Sequence, residues 1–267
     1  MTERTFMFRR EGDLYHPTPL AAGPWDPRSI HGRLFCGLIA EAVEVHHGDP
    51  AFQVSRLTTD LFRLAMLQPL LVQTTLVRDG NRIRVADASI TGEDGMELAR
   101  GSVVMLKRAA PPEGEVWSPD IPPMPHPDSL ETYQDPPNRR AVNGQPFVST
   151  WESRPAGGDF RGRGPKRAWM RERHQLVAGE DPSPIVRLAL AGDMANPYAN
   201  ISDVGLGYVN ADVSIHAVRD PVGEWIGLDT SGHFDAEGVA IGECIVHDVN
   251  GPLGRLSVCA VAQPKRP

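Results

Sequence analysis

An acid on a helix-like run, followed 19 residues later by an Asp on a strand-like run, occurs twice in this chain: Glu41 before Asp60, and Asp193 before Asp212. Both Glu41 and Asp193 are acids on or at the end of a helix-like run and are candidate site residues. Each is equally well explained as a capping, solvated or ion-paired helix residue, and Asp60 and Asp212 as acceptors for backbone amides at the ends of their strands. Asn210, two residues before Asp212, offers both a donor and an acceptor. Cys36, Cys244 and Cys259 lie in apolar runs without metal-ligand spacing, so neither a disulfide framework nor a zinc site is indicated and reduced core residues are expected. Arg161, Arg163, Lys166, Arg167, Arg171 and Arg173 form a basic cluster dense enough for a phosphorylated ligand, with a solvated loop as the plainer reading.

The elements that must position these residues are also written twice. Ser29 to His47 is a helix-like run, with the helix itself read over Arg33 to His47, and leads into Val54–Leu64, Leu70–Arg78, Arg82–Thr91, Asp94-Gly95 and Leu98–Leu106. Ser183 to Met194 leads into Tyr208–Val218, Glu224–Gly232, Val239–Val246, Asn250-Gly251 and Leu253–Ala262. The strand readings rest on period-2 alternation, as in 211–218, where Val213, Ile215 and Ala217 share one face and Asp212, Ser214 and His216 the other. Leu34, Leu38, Ala42 and Val45 form a stripe suited to a helix lying against a sheet. Arg78-Asp79-Gly80-Asn81 has the composition of a hairpin turn. The pattern predicts two α+β subdomains, each a helix cradled by an antiparallel sheet, over residues 1–108 and 146–267.

Between them, residues 109–145 form a Pro-rich crossover. Proline fixes its own φ and lacks the amide donor, which excludes a central strand or regular helix. Trp117 and Tyr133 are expected to pin this segment, and Pro155 to Pro165 is expected to be a long turn between two strands. The formal net charge of −7 argues against nucleic acid or an anionic membrane as main partner. No apolar run reaches the ~18 residues of a membrane span, and no leader is read at the start, so a cytoplasmic protein is expected.

Four stretches carry a family resemblance: Ala189-Leu190-Ala191-Gly192-Asp193, Asn210-Ala211-Asp212-Val213-Ser214-Ile215-His216, Pro221-Val222-Gly223-Glu224-Trp225 and Gly251-Pro252-Leu253-Gly254-Arg255. Their order and spacing resemble the second half of TesB-like (type II) acyl-CoA thioesterases. His31-Gly32 before an apolar helix, with Leu57-Thr58-Thr59-Asp60-Leu61-Phe62, is similar to the first half. The resemblance implies a double hotdog fold. It also implies a site between the two halves, where an Asp orients water beside a Thr and a Gln.

By that resemblance the Asp is Asp193, the Thr position falls on Asn210, and the Gln position falls on Val258 or Cys259, neither of which is an amide. Where the family often has His-Gly-Gly, this chain has His31-Gly32-Arg33. His31 is then a helix-start or pocket residue, Gly32 a backbone oxyanion donor, and Arg33 a side chain that reaches a phosphate of coenzyme A. Were the halves to exchange roles, Glu41 would be the base. The acyl chain is expected near Phe35, Ile39, Leu188 and Met194.

The implied reaction is hydrolysis of an acyl-CoA thioester by Asp-activated water, with no metal or redox cofactor and coenzyme A entering only as part of the substrate. A monomer and a homo-oligomer are both compatible with the sequence. The missing Gln motivates a second reading, a non-catalytic acyl-thioester binder. Gly192-Asp193-Met194-Ala195-Asn196-Pro197-Tyr198 motivates a third, a MaoC-like enoyl-CoA hydratase, although one residue is inserted and Tyr198 stands where that motif has His.

Overall fold

Period-2 alternation drives most of this chain into strands, and in the computed structural model, which describes residues 5–135, 149–160 and 162–263, the strands join edge to edge. The first half opens with a hairpin, β1 (Phe6–Glu11) and β2 (Leu14–Pro17), ahead of α1 (Arg33–His47). Then come β3 (Phe52–Leu61), β4 (Leu70–Asp79), β5 (Ile83–Thr91) and β6 (Glu97–Lys107).

The second half repeats this order. It has β7 (Trp151–Gly157), β8 (Arg167–Glu172), the short β9 (Gln175–Val177), α2 (Pro184–Gly192) and α3 (Ala195–Asn200). A small ribbon, β10 (Ile201–Ser202) and β11 (Gly205–Leu206), precedes β12 (Tyr208–Asn210) and β13 (Asp212–Ala217). β14 (Ile226–Ala236), β15 (Val239–Asp248) and β16 (Gly251–Ala262) complete it.

The main sheet runs β7-β8-β14-β15-β16-β13-β3-β6-β5-β4-β2-β1-β9, with β12 added on β16. Its two halves meet where β13 pairs with β3, with Asp212 opposite Asp60, Val213 opposite Thr59 and Ile215 opposite Leu57. This is the double hotdog, two helix-and-sheet halves sharing one continuous sheet.

The helices pack on each other as well as on the sheet. A Cβ on Gly37 of α1 would lie 2.6 Å from a side-chain methyl of Leu190 of α2, so the two helices cross closely at this glycine. α1 is therefore buried on every side from Arg33 to Val43, not along one stripe. Leu34, Leu38 and Ala42 are buried as expected, but Val45 is 51% exposed because it lies beyond the crossing. Full burial of each Leu, Ile or Phe in this seam contributes roughly 1.5–3 kcal/mol.

The helix α1 spans Arg33–His47 as read, and of the helix-like run before it, 29 and 30 are held in bridges to Met66 and Ala22. Other expectations need correction. The second helix ends at Gly192, where a Cβ would meet Ile215 at 2.8 Å, and a separate short helix follows. The strand read over Tyr208–Val218 is broken at Ala211. Pro155 lies inside β7, which tolerates it because β7 is the edge of the sheet.

Trp117 is 84% exposed and does not pin the crossover. The Tyr133 amide does bond Ser153 (2.7 Å), and the Trp169 indole N–H bonds the Pro125 carbonyl (2.8 Å). Pro136, Pro137 and the boundary expected at 145/146 lie outside the described residues. Cys36 and Cys244 are buried, but Cys259 is exposed, since it points away from the core face that Val258 occupies. No helix among the described residues is long and apolar enough to cross a membrane.

Candidate active site

Asp193 owes its place to the helix break. Gly192 brings α2 close to β13, and the chain leaves the helix at Asp193, its C-cap residue. Its carboxylate is 8% exposed and faces the first turn of α1 from the other half. A Cβ on Gly32 would lie 3.6 Å from Asp193 Oδ2 and 3.6 Å from Leu61. The Arg33 backbone amide also bonds this carboxylate. On the opposite side, Asn210 Nδ2 at the end of β12 donates to Asp193 Oδ1 at 2.5 Å. His31 Nδ1 lies 3.6 Å from Asp193 Oδ2 and 3.4 Å from the Arg33 amide. The structure thus brings Asp193, Asn210, His31 and Gly32 together.

Burial is the largest influence on the Asp193 carboxyl and pushes its pKa up. The Asn210 hydrogen bond, the Arg33 charge and the Arg33 amide pull it back. A carboxylate with an elevated pKa is a stronger base toward water than an exposed Asp. The N-terminus of α1 favours its negative form, as helix N-termini do for anions.

Arg33 does not take the role expected of its side chain. The guanidinium is fully buried, pairs with Glu172 at 2.7 and 3.1 Å, donates to Thr150 at 2.7 Å and stacks on Trp151 at 4.8 Å. A buried, paired guanidinium is not available to a coenzyme A phosphate. Three members of the basic cluster are ion-paired, Arg163 with Asp203 (2.7 Å), Arg167 with Asp229 (3.0 Å) and Arg171 with Glu152 (2.6 Å), while Arg173 is exposed. Lys166 is buried, and Arg161 lies outside the described residues.

Glu41, the rival base, is 7% exposed, bonded by the Tyr15 hydroxyl and ion-paired with Arg10, which also pairs with Glu180. Burial raises its pKa while those two partners oppose the rise. A cavity of about 90 Å³ lies beside Glu41 and Glu44, and a wider one of about 310 Å³ is lined by Asp13, His46, His47, Gln73 and Thr74. Phe35, Ile39, Leu188 and Met194 are all buried in the core. Val258 is fully buried and Cys259 exposed, so neither supplies the amide expected there.

Sequence reading missed Leu61 beside Gly32, and Glu172, Thr150 and Trp151 around Arg33. These partners come from remote segments and carry no local signal. In the hydratase-like stretch, the Tyr198 ring packs on Phe160 and its hydroxyl bonds Ser153, whereas Asp193 meets Asn210 and His31.

Comparison with known proteins gives the family and the fold. Residues 21–106 match the acyl-CoA thioesterase N-terminal domain, and residues 122–257 match the acyl-CoA thioesterase C-terminal domain. Among solved structures, the chain is similar to a candidate thioesterase from Novosphingobium aromaticivorans (TM-score 0.73, 20% identity, 97% of this chain and 99% of that one). It is also similar to the TesB protein of Mycobacterium avium subspecies paratuberculosis (0.68, 15%, 96% of each). A third is the acyl-CoA thioesterase II TesB2 of Mycobacterium marinum (0.64, 17%, 97% and 96%). At these identities the likeness shows the fold. No protein of curated function matches the chain in sequence.

Proposed function

Because the chain belongs to the acyl-CoA thioesterase family, we propose that it hydrolyses an acyl-CoA thioester with Asp193 as the base that activates water. The observation that carries this reading is the Asn210–Asp193 hydrogen bond, made against the first turn of α1 from the other half. In this reading Asn210 holds Oδ1 and the Arg33 amide steadies the carboxylate, while Oδ2, on the His31 side, accepts the proton of a water aimed at the thioester carbonyl. In the same reading the Gly32 amide, at the start of α1, steadies the oxyanion of the tetrahedral intermediate. Collapse of that intermediate breaks the C–S bond and releases free acid and coenzyme A. The chemistry requires no metal or redox cofactor, since the thioester is already activated and water is the nucleophile.

A second reading has one observation in its favour. The position expected to carry a Gln offers only buried Val258 or outward-facing Cys259, so the water would be held by fewer groups. In that reading the protein binds acyl thioesters without cleaving them. Release of free coenzyme A from a panel of saturated, branched and aromatic acyl-CoA thioesters separates the two. Turnover that disappears in Asp193→Asn supports the hydrolase, and saturable binding without turnover supports the binder.

A further inference from the structure

The short helix after the break that places Asp193 carries a chain of polar groups that closes on Tyr208, two residues before Asn210. Asn196 and Asn200 on α3 are buried, at 2% and 4% exposure, and lie four residues apart on one helix face. The direction of every hydrogen bond in the chain follows from its first acceptor. The Tyr208 carbonyl can only accept, so Asn196 presents Nδ2 to it at 3.1 Å. That leaves Asn196 Oδ1 to accept from Asn200 Nδ2 at 2.9 Å.

Asn200 Oδ1 must then accept too. It faces His233 Nδ1 at 2.7 Å, which therefore carries a proton. His233 Nε2 lies 3.2 Å from Asp235 Oδ1, and Asp235 Oδ2 accepts from the Tyr208 hydroxyl at 3.3 Å. The chain begins on the Tyr208 carbonyl and ends on the Tyr208 hydroxyl.

Tyr208 opens β12 and Asn210 closes it. β12 is three residues long and pairs with β16 along one edge, with Asn210 opposite Ala260. Among the described residues no strand covers its other edge, and Asn196 supplies a hydrogen bond from α3 instead. We infer that His233 is a positioning residue: through Asn200 and Asn196 it fixes β12 against α3, and so fixes the reach of Asn210 Nδ2 to Asp193. The inference rests on the hydrolase reading above. His233 does not touch the reacting atoms, and its effect passes entirely through Asn210.

The test compares His233→Ala, His233→Asn and His233→Gln, each also made on an Asn210→Ala background, by steady-state coenzyme A release. The Asn side chain puts its amide nitrogen near the place of Nδ1, whereas Gln puts it near Nε2. His233→Asn therefore keeps the bond to Asn200 and should stay within about twofold of wild type, while His233→Ala and His233→Gln lose roughly tenfold or more in kcat with KM unchanged. On the Asn210→Ala background His233→Ala should add less than about twofold, because the two residues act through one interaction. Should His233→Ala fail to fold, the Asn and Gln variants carry the comparison.

Equal losses in Asn and Gln variants, or losses that add to those of Asn210→Ala, would show a merely structural role and overturn the inference. Wild-type turnover indifferent to His233 would overturn it while leaving the hydrolase reading intact. A wild-type protein that hydrolyses nothing would remove both.

Discussion

Asp60 and Asp212 stand directly opposite each other where β3 pairs with β13. Each follows the helix acid of its own half by the same interval, 60 − 41 = 19 and 212 − 193 = 19, so Glu41 and Asp193 are equivalent positions. The two carboxylates have diverged in physical state. Glu41 sits in mid-helix, bonded by the Tyr15 hydroxyl and ion-paired with Arg10. Asp193 sits where its helix has ended, held by neutral Asn210 and by backbone at the start of α1. Burial raises both carboxyls, but Glu41 is held by a direct ion pair with Arg10, whereas the direct side-chain partner of Asp193 is a neutral amide. This asymmetry favours Asp193 over Glu41 as the proposed base.

Arg33 should matter to stability rather than to coenzyme A recognition. Arg33→Ala leaves Glu172 unpaired in a largely buried setting, a change that typically costs about 3–5 kcal/mol. The expected outcome is a large fall in melting temperature, with KM for acyl-CoA unchanged in whatever remains folded. Intact stability with a raised KM would restore the phosphate-binding role.

The acid limb of the pH–rate profile should lie above the ordinary Asp range, because burial raises the Asp193 pKa and the base works only when deprotonated. Asn210 opposes that rise, so Asn210→Ala should move the limb to still higher pH and lower the plateau. For stability the sign runs the other way. A folded pKa above the unfolded one gives stability that is present below the unfolded value of 3.8 and lost as pH rises through the folded value. Asp193→Asn should therefore melt no lower than wild type at neutral pH. A lower melting point would contradict the burial argument.

The sequence carried the repeated order of elements because alternation and helix periodicity are local. The hairpin β1–β2 was not legible, since it is two short strands and three of the six residues in β1 are charged. Nor was the end of α2 at Gly192, whose cause is contact with Ile215 and Val213 on a later strand. The resemblance located Asp193 and Asn210, and the structure joins them. It could not foresee that Arg33 turns to Glu172, 139 residues away, because no local pattern encodes such a pairing.

Glu152 ties the crossover to the second half. Burial opposes its ionisation, but hydrogen bonds from Arg171, Thr132 and Arg154 overcome this and hold its carboxyl at about 2. A depressed folded pKa gives stability that is present above the unfolded value of 4.5 and lost as pH falls through about 2. Glu152→Gln should cost about 2–3 kcal/mol at pH 7, with the difference from wild type shrinking below pH 4.5 in denaturant titrations. A difference independent of pH would assign the effect to packing instead.

The most direct test of the account is coenzyme A release by wild type and Asp193→Asn, measured side by side on the acyl-CoA panel with melting temperature as control. The expected result is turnover of at least one thioester that falls about 10²–10⁴-fold in the folded variant, the range of a lost general base. Equal turnover by the two proteins would contradict it and remove Asp193 from the chemistry.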